Sequence, residues 1–348
     1  MEQETKKPAL DIQPILEIKN LKTYYRSRKG DVPAVDGVDL TLYPGEIVGI
    51  VGESGCGKST VVRSLMGLMN PATSRHEDGS ALFKGKDLFQ LSEKEMCQIR
   101  GKDISMIFQN PLSALDPVYT IGNQIEEILR IHEHITGKQA RERAIDLLRQ
   151  VNIPSPELRI DQYPHELSGG MQQRVVIAIA LACRPKILIA DEPTTALDVT
   201  VQAQILALIK ELKERLQLSV ILITHNMGVV AAICDRMFVM YGGVVVEEGT
   251  CMEIFSNPKH PYTRGLLNAI PSIDEDKETL YTIPGQVDTL KAPVRFCRFY
   301  KRCSYASSQC QEQEPPLIGT DSHFCRCFLF SSKNLIAENQ TKKKAVVL

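Results

Sequence analysis

The sequence predicts an α/β fold in which helices pack over a largely parallel sheet. Three observations carry this. Short strand-like segments recur along the chain, each beside a turn signal. Several are unbroken apolar runs, the pattern of strands covered on both faces. Helical periodicity fills the intervals: Val201, Ile205, Ile209, Leu212 and Leu216 fall on one face of a helix. Strand and helix in alternation require layers.

In chain order, residues 1–15 read as a polar lead-in. Strands are expected at 16–21 (LEIKNL), 46–52 (EIVGIVG), 103–109 (DISMIFQ), 186–192 (KILIADE), 219–225 (SVILITH) and 237–243 (MFVMYGG). Between residues 111 and 184 strand signals fade and helical stretches dominate, so this block reads as a helical insertion. After residue 257 proline, cysteine and irregular sequence increase, and the residues from 331 on read as a mobile tail.

Bulk properties bound the function. The 348 residues are 43% hydrophobic and 24% charged, enough for a sizeable core. A formal net charge of −1 argues against a nucleic-acid partner, which needs a basic field. The first ten residues hold no apolar run, so no secretory signal is expected. The longest apolar run, VVIAIALAC (175–183), is about half a membrane span. The expected compartment keeps thiols reduced, which disfavours disulfides among the ten cysteines.

The segment GESGCGKST (52–60) fits G-x-x-x-x-G-K-[ST] and lies between a strand and an apolar helix. Its glycines let backbone N–H groups close on phosphate oxygens, and the helix N-terminus adds its positive end. Gly52, Glu53, Ser54, Gly55, Cys56, Gly57, Lys58, Ser59 and Thr60 are therefore candidate ATP-binding residues. Lys58 would reach the β- and γ-phosphates and the Ser59 hydroxyl a magnesium ion. A glycine-rich turn with a surface lysine is the plainer alternative.

ILIADEP (187–193) ends a buried strand on two carboxylates, where open α/β sheets bind ligands. Successive residues point to opposite sides, so Asp191 can face magnesium while Glu192 meets a water beside the γ-phosphate. LSGGMQQR (167–174) opens a second apolar helix. Ser168 is a natural N-cap, and Gly169 and Gly170 keep its first N–H groups clear for another anion.

Phosphate loop, LSGGMQQR and DEP in this order resemble the nucleotide-binding subunit of an ATP-binding cassette (ABC) transporter, over about residues 16–270. The resemblance implies a P-loop NTPase core with an antiparallel β subdomain, a helical subdomain at about 111–184 and an ATPase domain over 16–256. It places Tyr25, rather than Tyr24, on adenine. It makes Gln109 a sensor of magnesium and water, Asp198 the end of the D-loop, and His225 with Glu192 the catalytic pair. Ser168, Gly169, Gly170 and Gln173 would face the nucleotide of a second ATPase subunit in a head-to-tail dimer. Magnesium would be held through Ser59, Gln109 and Asp191. The implied partners are two membrane permease subunits, a second and different ATPase chain and an extracellular substrate-binding protein. The implied location is peripheral, on the cytoplasmic face of the membrane.

NPKHPYTRGLLNAIP (257–271), YPHELSGGMQQR (163–174) and QNPLSALDPVYTIG (109–122) resemble the oligopeptide/dipeptide importers, whose C-terminal extension would span 257–330. Peptides are the expected cargo, with nickel as the alternative. A soluble ABC ATPase outside transport, and a module that holds ATP without turnover, are the readings from other classes. The single cassette, the lack of a long heptad run and the presence of Glu192 and His225 speak against them.

Cys56, Cys97, Cys183, Cys234 and Cys251 are scattered. Cys297, Cys303, Cys310, Cys325 and Cys327 crowd the extension with C-x5-C-x6-C spacing and a final C-x-C. Structural zinc sites use tighter pairs, whereas four thiolates from a loop suit an iron–sulfur cluster; zinc and free thiols stay open. Arg295, Arg298, Lys301 and Arg302 would offset the charge of a cluster. Similarity to a C-x5-C-x6-C…H-x3-C pattern in some peptide-importer ATPases implies a 4Fe–4S cluster on Cys297, Cys303, Cys310 and Cys327, with Cys325 the alternate.

Overall fold

In the computed structural model of the chain, which describes residues 13–330 except 29, 196, 271–281, 289, 291 and 321, the strands form two sheets. The lead-in up to residue 12 and the tail from 331 lie outside the described residues. The strands are β1 (Leu16–Tyr25), β2 (Val32–Leu42), β3 (Ile47–Val51), β4 (Ser74–Phe83), β5 (Lys86–Asp87), β6 (Ile104–Ile107), β7 (Ile187–Asp191), β8 (Ser219–Thr224), β9 (Arg236–Tyr241), β10 (Val244–Thr250), β11 (Ile318–Thr320) and β12 (His323–Cys325).

The smaller sheet is antiparallel, in the order β2-β1-β4-β5. The larger runs β11-β12-β10-β9-β3-β8-β7-β6. Its strands β9, β3, β8, β7 and β6 are parallel, and β10, β12 and β11 continue it antiparallel. Every residue of β3, β7 and β8 is buried, which is why Ile, Val and Leu dominate these segments. One core joins the two sheets around the helix Lys58–Leu65, through Ile18, Leu40, Val48, Ile50, Val61 and Ile189. The other lies on the opposite face, under the helices Gly169–Leu181, Val199–Leu216 and Met227–Ile233.

The helical block holds Ile121–Glu133, Gly137–Gln150 and Gly169–Leu181, and joins the main core through Ile125, Leu129, Leu147 and Leu148. The apolar run at 175–183 is buried nearly throughout, so its hydrophobicity serves the interior of the protein. No helix among the described residues is long and apolar enough to cross a membrane.

Two features differ from the sequence expectation. β2 and β4 do not stand out as apolar runs: β2 carries Pro33 and Gly37, and residues 75–78 of β4 are polar and exposed. The extension is also more regular than its composition suggests. It forms the helix Pro261–Asn268, and β12 pairs with β10 through Glu247–Cys325 and Glu248–Phe324, adding a hairpin to the edge of the main sheet.

Candidate functional site

The phosphate loop leaves β3 at Val51 and enters the helix at Lys58. Two glycines are sterically required. Gly52 has φ +154°, and a Cβ there would lie 2.2 Å from Met240 O; Gly57 has φ +106°, and a Cβ would lie 2.2 Å from Ala34 O. No side chain fits against those carbonyls. Lys58 is buried, and its Nζ donates to Gly52 O at 2.8 Å and to Glu53 O at 3.0 Å, so the ammonium lies within the curve of the loop.

A cavity of about 480 Å³ opens over this loop. Tyr25, Ser54, Gly55, Gly57, Lys58, Ser59, Thr60, Gln109 and Glu192 line it. Tyr25 stands at the end of β1 with its hydroxyl 3.3 Å from Thr60 Oγ1, whereas Tyr24 is buried and donates to Asp36. Gly52, Glu53 and Cys56 are not among the lining residues. Cys56 is buried in the core beneath the loop, and burial raises its pKa. A side-chain contact from Cys56 to a nucleotide is therefore excluded in this arrangement. The Glu53 carboxylate is turned to Arg302.

Asp191 ends β7, fully buried. Its Oδ1 accepts the Ser59 hydroxyl at 2.8 Å, and its Oδ2 is buried with no partner. Burial pushes its pKa up, against the Ser59 bond and the nearby Arg63 and Lys58. An uncompensated buried carboxylate oxygen beside a hydroxyl fits a small, hard cation.

Glu192 follows with φ +49°, a left-handed conformation that costs a non-glycine residue about 1–3 kcal/mol. The turn aims its carboxylate into the cavity. Glu192 Oε2 accepts the Gln109 amide at 2.8 Å and the Thr195 hydroxyl at 3.0 Å, and Oε1 lies 3.3 Å from His225 Nδ1. Burial raises its pKa, but the bonds from His225 and Thr195 outweigh this and hold it below the usual range. Glu192 is thus ionised at neutral pH, with Gln109, Thr195 and His225 fixing its direction.

Ser168 caps the helix Gly169–Leu181, accepting from Met171 N at 3.4 Å. Ser168 and Gly169 are exposed and do not line the cavity over the same chain's phosphate loop. Gln173 requires a correction: it is buried, with an unpartnered Nε2, because one turn into this helix its position faces the core. Asp198 is exposed and caps the helix Val199–Leu216 through Val201 N at 2.9 Å.

Sequence reasoning missed what the extension brings here. The Tyr262 hydroxyl accepts from Glu53 N at 2.8 Å, and Arg302 grips the Glu53 carboxylate with both terminal nitrogens, at 2.8 and 3.1 Å. Arg298 binds Asp36 at 2.5 Å and Gly242 O. Val287, Asp288 and Leu290 line the nucleotide cavity. Tyr262 belongs to the quoted HPYT stretch, but nothing local says that it reaches residue 53. Three of the four basic residues expected to face a cluster are engaged elsewhere: Arg298 and Arg302 as described, and Lys301 with Asp288 at 2.7 Å; Arg295 is exposed.

Cys297, Cys303, Cys310 and Cys327 line one further cavity of about 160 Å³, walled by Phe299, Tyr300 and Tyr305. Cys297 N donates to Cys310 O at 2.9 Å, closing the loop between them. Cys325 is not in this wall; it is buried in β12, opposite Glu247 and Ile318. Among the described residues no group of three or more His, Cys, Asp or Glu is set to hold a metal ion. Neither the iron–sulfur cluster nor the zinc alternative therefore finds a ligand group already assembled among the described residues.

Comparison with known proteins agrees with this geometry. Residues 35–195 match the family described as ABC transporter, and residues 246–310 match that described as oligopeptide/dipeptide transporter, C-terminal region. Oligopeptide transport ATP-binding protein AppD of Bacillus subtilis is 49% identical over 320 residues, 92% of this chain and 98% of that protein. Dipeptide transport ATP-binding protein DppD of Bacillus subtilis is 50% identical over 319 residues, 91% of this chain and 95% of that protein. Among solved structures, the ATP-binding cassette MJ0796 bound to ADP and Pi superposes with a TM-score of 0.61 at 30% identity, covering 68% of this chain and 98% of that one. The cbiO1 protein of Clostridium perfringens, part of the ABC transporter complex cbiONQ, gives 0.60 at 29% identity, over 70% of this chain and 91% of that one.

Proposed function

The chain belongs to the ATP-binding proteins of ABC transporters, and from that premise we propose that it hydrolyses ATP to power import of oligopeptides or dipeptides. One observation carries the peptide reading. The segment matching the oligopeptide/dipeptide transporter C-terminal region is built into the nucleotide site, through Tyr262 and Arg302 on Glu53. Relatives at about half identity over most of the chain are named for oligopeptide and dipeptide transport.

In this reading Tyr25 stacks on the adenine and the phosphate-loop N–H groups with Lys58 hold the phosphates. Ser59 and Asp191 would hold a magnesium ion, whose charge offsets that of the β- and γ-phosphates. Glu192 accepts the proton of the attacking water, Gln109 and Thr195 keep its carboxylate aimed, and His225 faces the γ-phosphate. Ser168, Gly169 and Gly170 serve the nucleotide of a second ATPase subunit. The exposure of Ser168 and Gly169, away from the chain's own cavity, supports this; Asp198 is likewise exposed, at the start of the helix Val199–Leu216. The domains are then a cassette over 16–256, with its helical part at about 111–184, and an extension over 257–330. The partners are two permeases and a different ATPase chain, with the substrate-binding protein outside and this subunit peripheral on the inner face.

Cys297, Cys303, Cys310 and Cys327 would hold an iron–sulfur cluster serving as a structural cross-link. Their shared cavity supports this set over one that includes Cys325. Protein purified without oxygen should carry iron and sulfide with visible absorbance that Cys327→Ser removes and Cys325→Ser retains; metal-free protein would refute the cluster.

The transport reading is tested by uptake into membrane vesicles that contain the subunit and its co-purifying permeases. ATP-driven accumulation of labelled di- or oligopeptides is expected. Accumulation of nickel without peptide, or co-purification with ribosomes in place of permeases, would contradict it.

A further inference from the structure

The phosphate loop carries a carboxylate of its own. Glu53 stands next to Ser54, which lines the nucleotide cavity, and a free negative charge there opposes the binding of a triphosphate. The charge is not free. Arg302, 249 positions along the chain, meets both Glu53 oxygens in a fork, and its side chain is only 7% exposed. The fork is held from behind, where Arg302 Nε donates to Pro284 O at 2.8 Å and Nη2 to Ile283 O at 3.3 Å. The guanidinium also lies 5.7 Å from the Tyr241 ring and 5.9 Å from that of Phe299. Arg302 precedes Cys303, so its position depends on the cysteine-bearing lobe.

We propose that Arg302 is a positioning residue that neutralises the Glu53 carboxylate, so that the cysteine-bearing lobe sets the affinity of the phosphate loop for ATP. Arg302 itself reaches no phosphate in this account; it acts through Glu53. The proposal rests on the ATPase reading and adds a charge balance to it. A planar fork suits a carboxylate better than an ammonium, so lysine at this position only partly replaces arginine.

The test is direct titration of the full chain with magnesium and ATP. Arg302→Ala should weaken binding about tenfold, equivalent to about 1.4 kcal/mol, and Arg302→Lys by less. The distinguishing variant is Arg302→Ala combined with Glu53→Gln, which removes the charge along with its neutraliser and should return affinity to within about threefold of the unaltered protein. Glu53→Gln alone should bind ATP more tightly than the unaltered protein, and this arm stands even if Arg302→Ala fails to fold. Affinity within twofold of normal in Arg302→Ala, or no recovery in the double variant, would overturn the proposal. Failure of the unaltered protein to bind ATP would instead refute the ATPase reading.

Discussion

The Gln109 side-chain amide donates to the Glu192 carboxylate at 2.8 Å, joining the start of the helical block to the acidic end of β7. Gln109 follows β6 and lies just before the helix at Pro111–Ala114. A movement of that block would therefore re-aim the carboxylate. Gln109→Ala should lower kcat about tenfold, a fraction of the 10²–10⁴ a general base supplies. KM for ATP should change little, because Lys58 and the loop still hold the phosphates. Steady-state kinetics checks this; a large rise in KM with kcat intact would count against it.

Asp191 carries a buried oxygen without a partner, and burial raises its pKa. Neutralising it in Asp191→Asn should stabilise the nucleotide-free protein by about 1 kcal/mol. The same change should remove the gain in thermal stability that magnesium adds to ATP. Melting curves with ATP, with and without a chelator, measure both effects. The stability gain and the lost magnesium response should appear together.

His260 is buried, and burial lowers its pKa from 6.5 to about 4. Its Nδ1 accepts from Tyr262 N at 3.0 Å, as the cap of the helix Pro261–Asn268. The unfolded chain takes up this proton near 6.5 and the folded chain only near 4. Between those values the unfolded state binds more protons, so stability falls as pH falls, by about 1.4 kcal/mol per unit. Nearby Glu247 accepts from Lys259 N, His260 N and His323, and these bonds outweigh burial and lower its pKa, so its protonation adds loss in the same direction. His260→Asn keeps a capping acceptor without the titration, and urea unfolding of this variant should show a shallower slope between pH 6.5 and 4.

The nucleotide site was legible because its parts are local. A glycine loop between strand and helix, two carboxylates on one strand end and a serine cap before two glycines each announce themselves within about ten residues. Gln173 was misplaced because the motif letters do not state which face of the helix they occupy. β2 and β4 escaped notice because their polar positions face water on a sheet exposed along part of one side. The pairing of Arg302 with Glu53 and of Tyr262 with the same loop could not be read locally, since each joins segments over two hundred residues apart.

The proposed role of Glu192, accepting the proton of the attacking water, is tested most directly by Glu192→Gln. The amide keeps the size of the side chain but cannot take the proton. In the assembled complex, ATP turnover should fall by about 10²–10⁴ while ATP binding persists. Hydrolysis by Glu192→Gln at the normal rate would contradict the account.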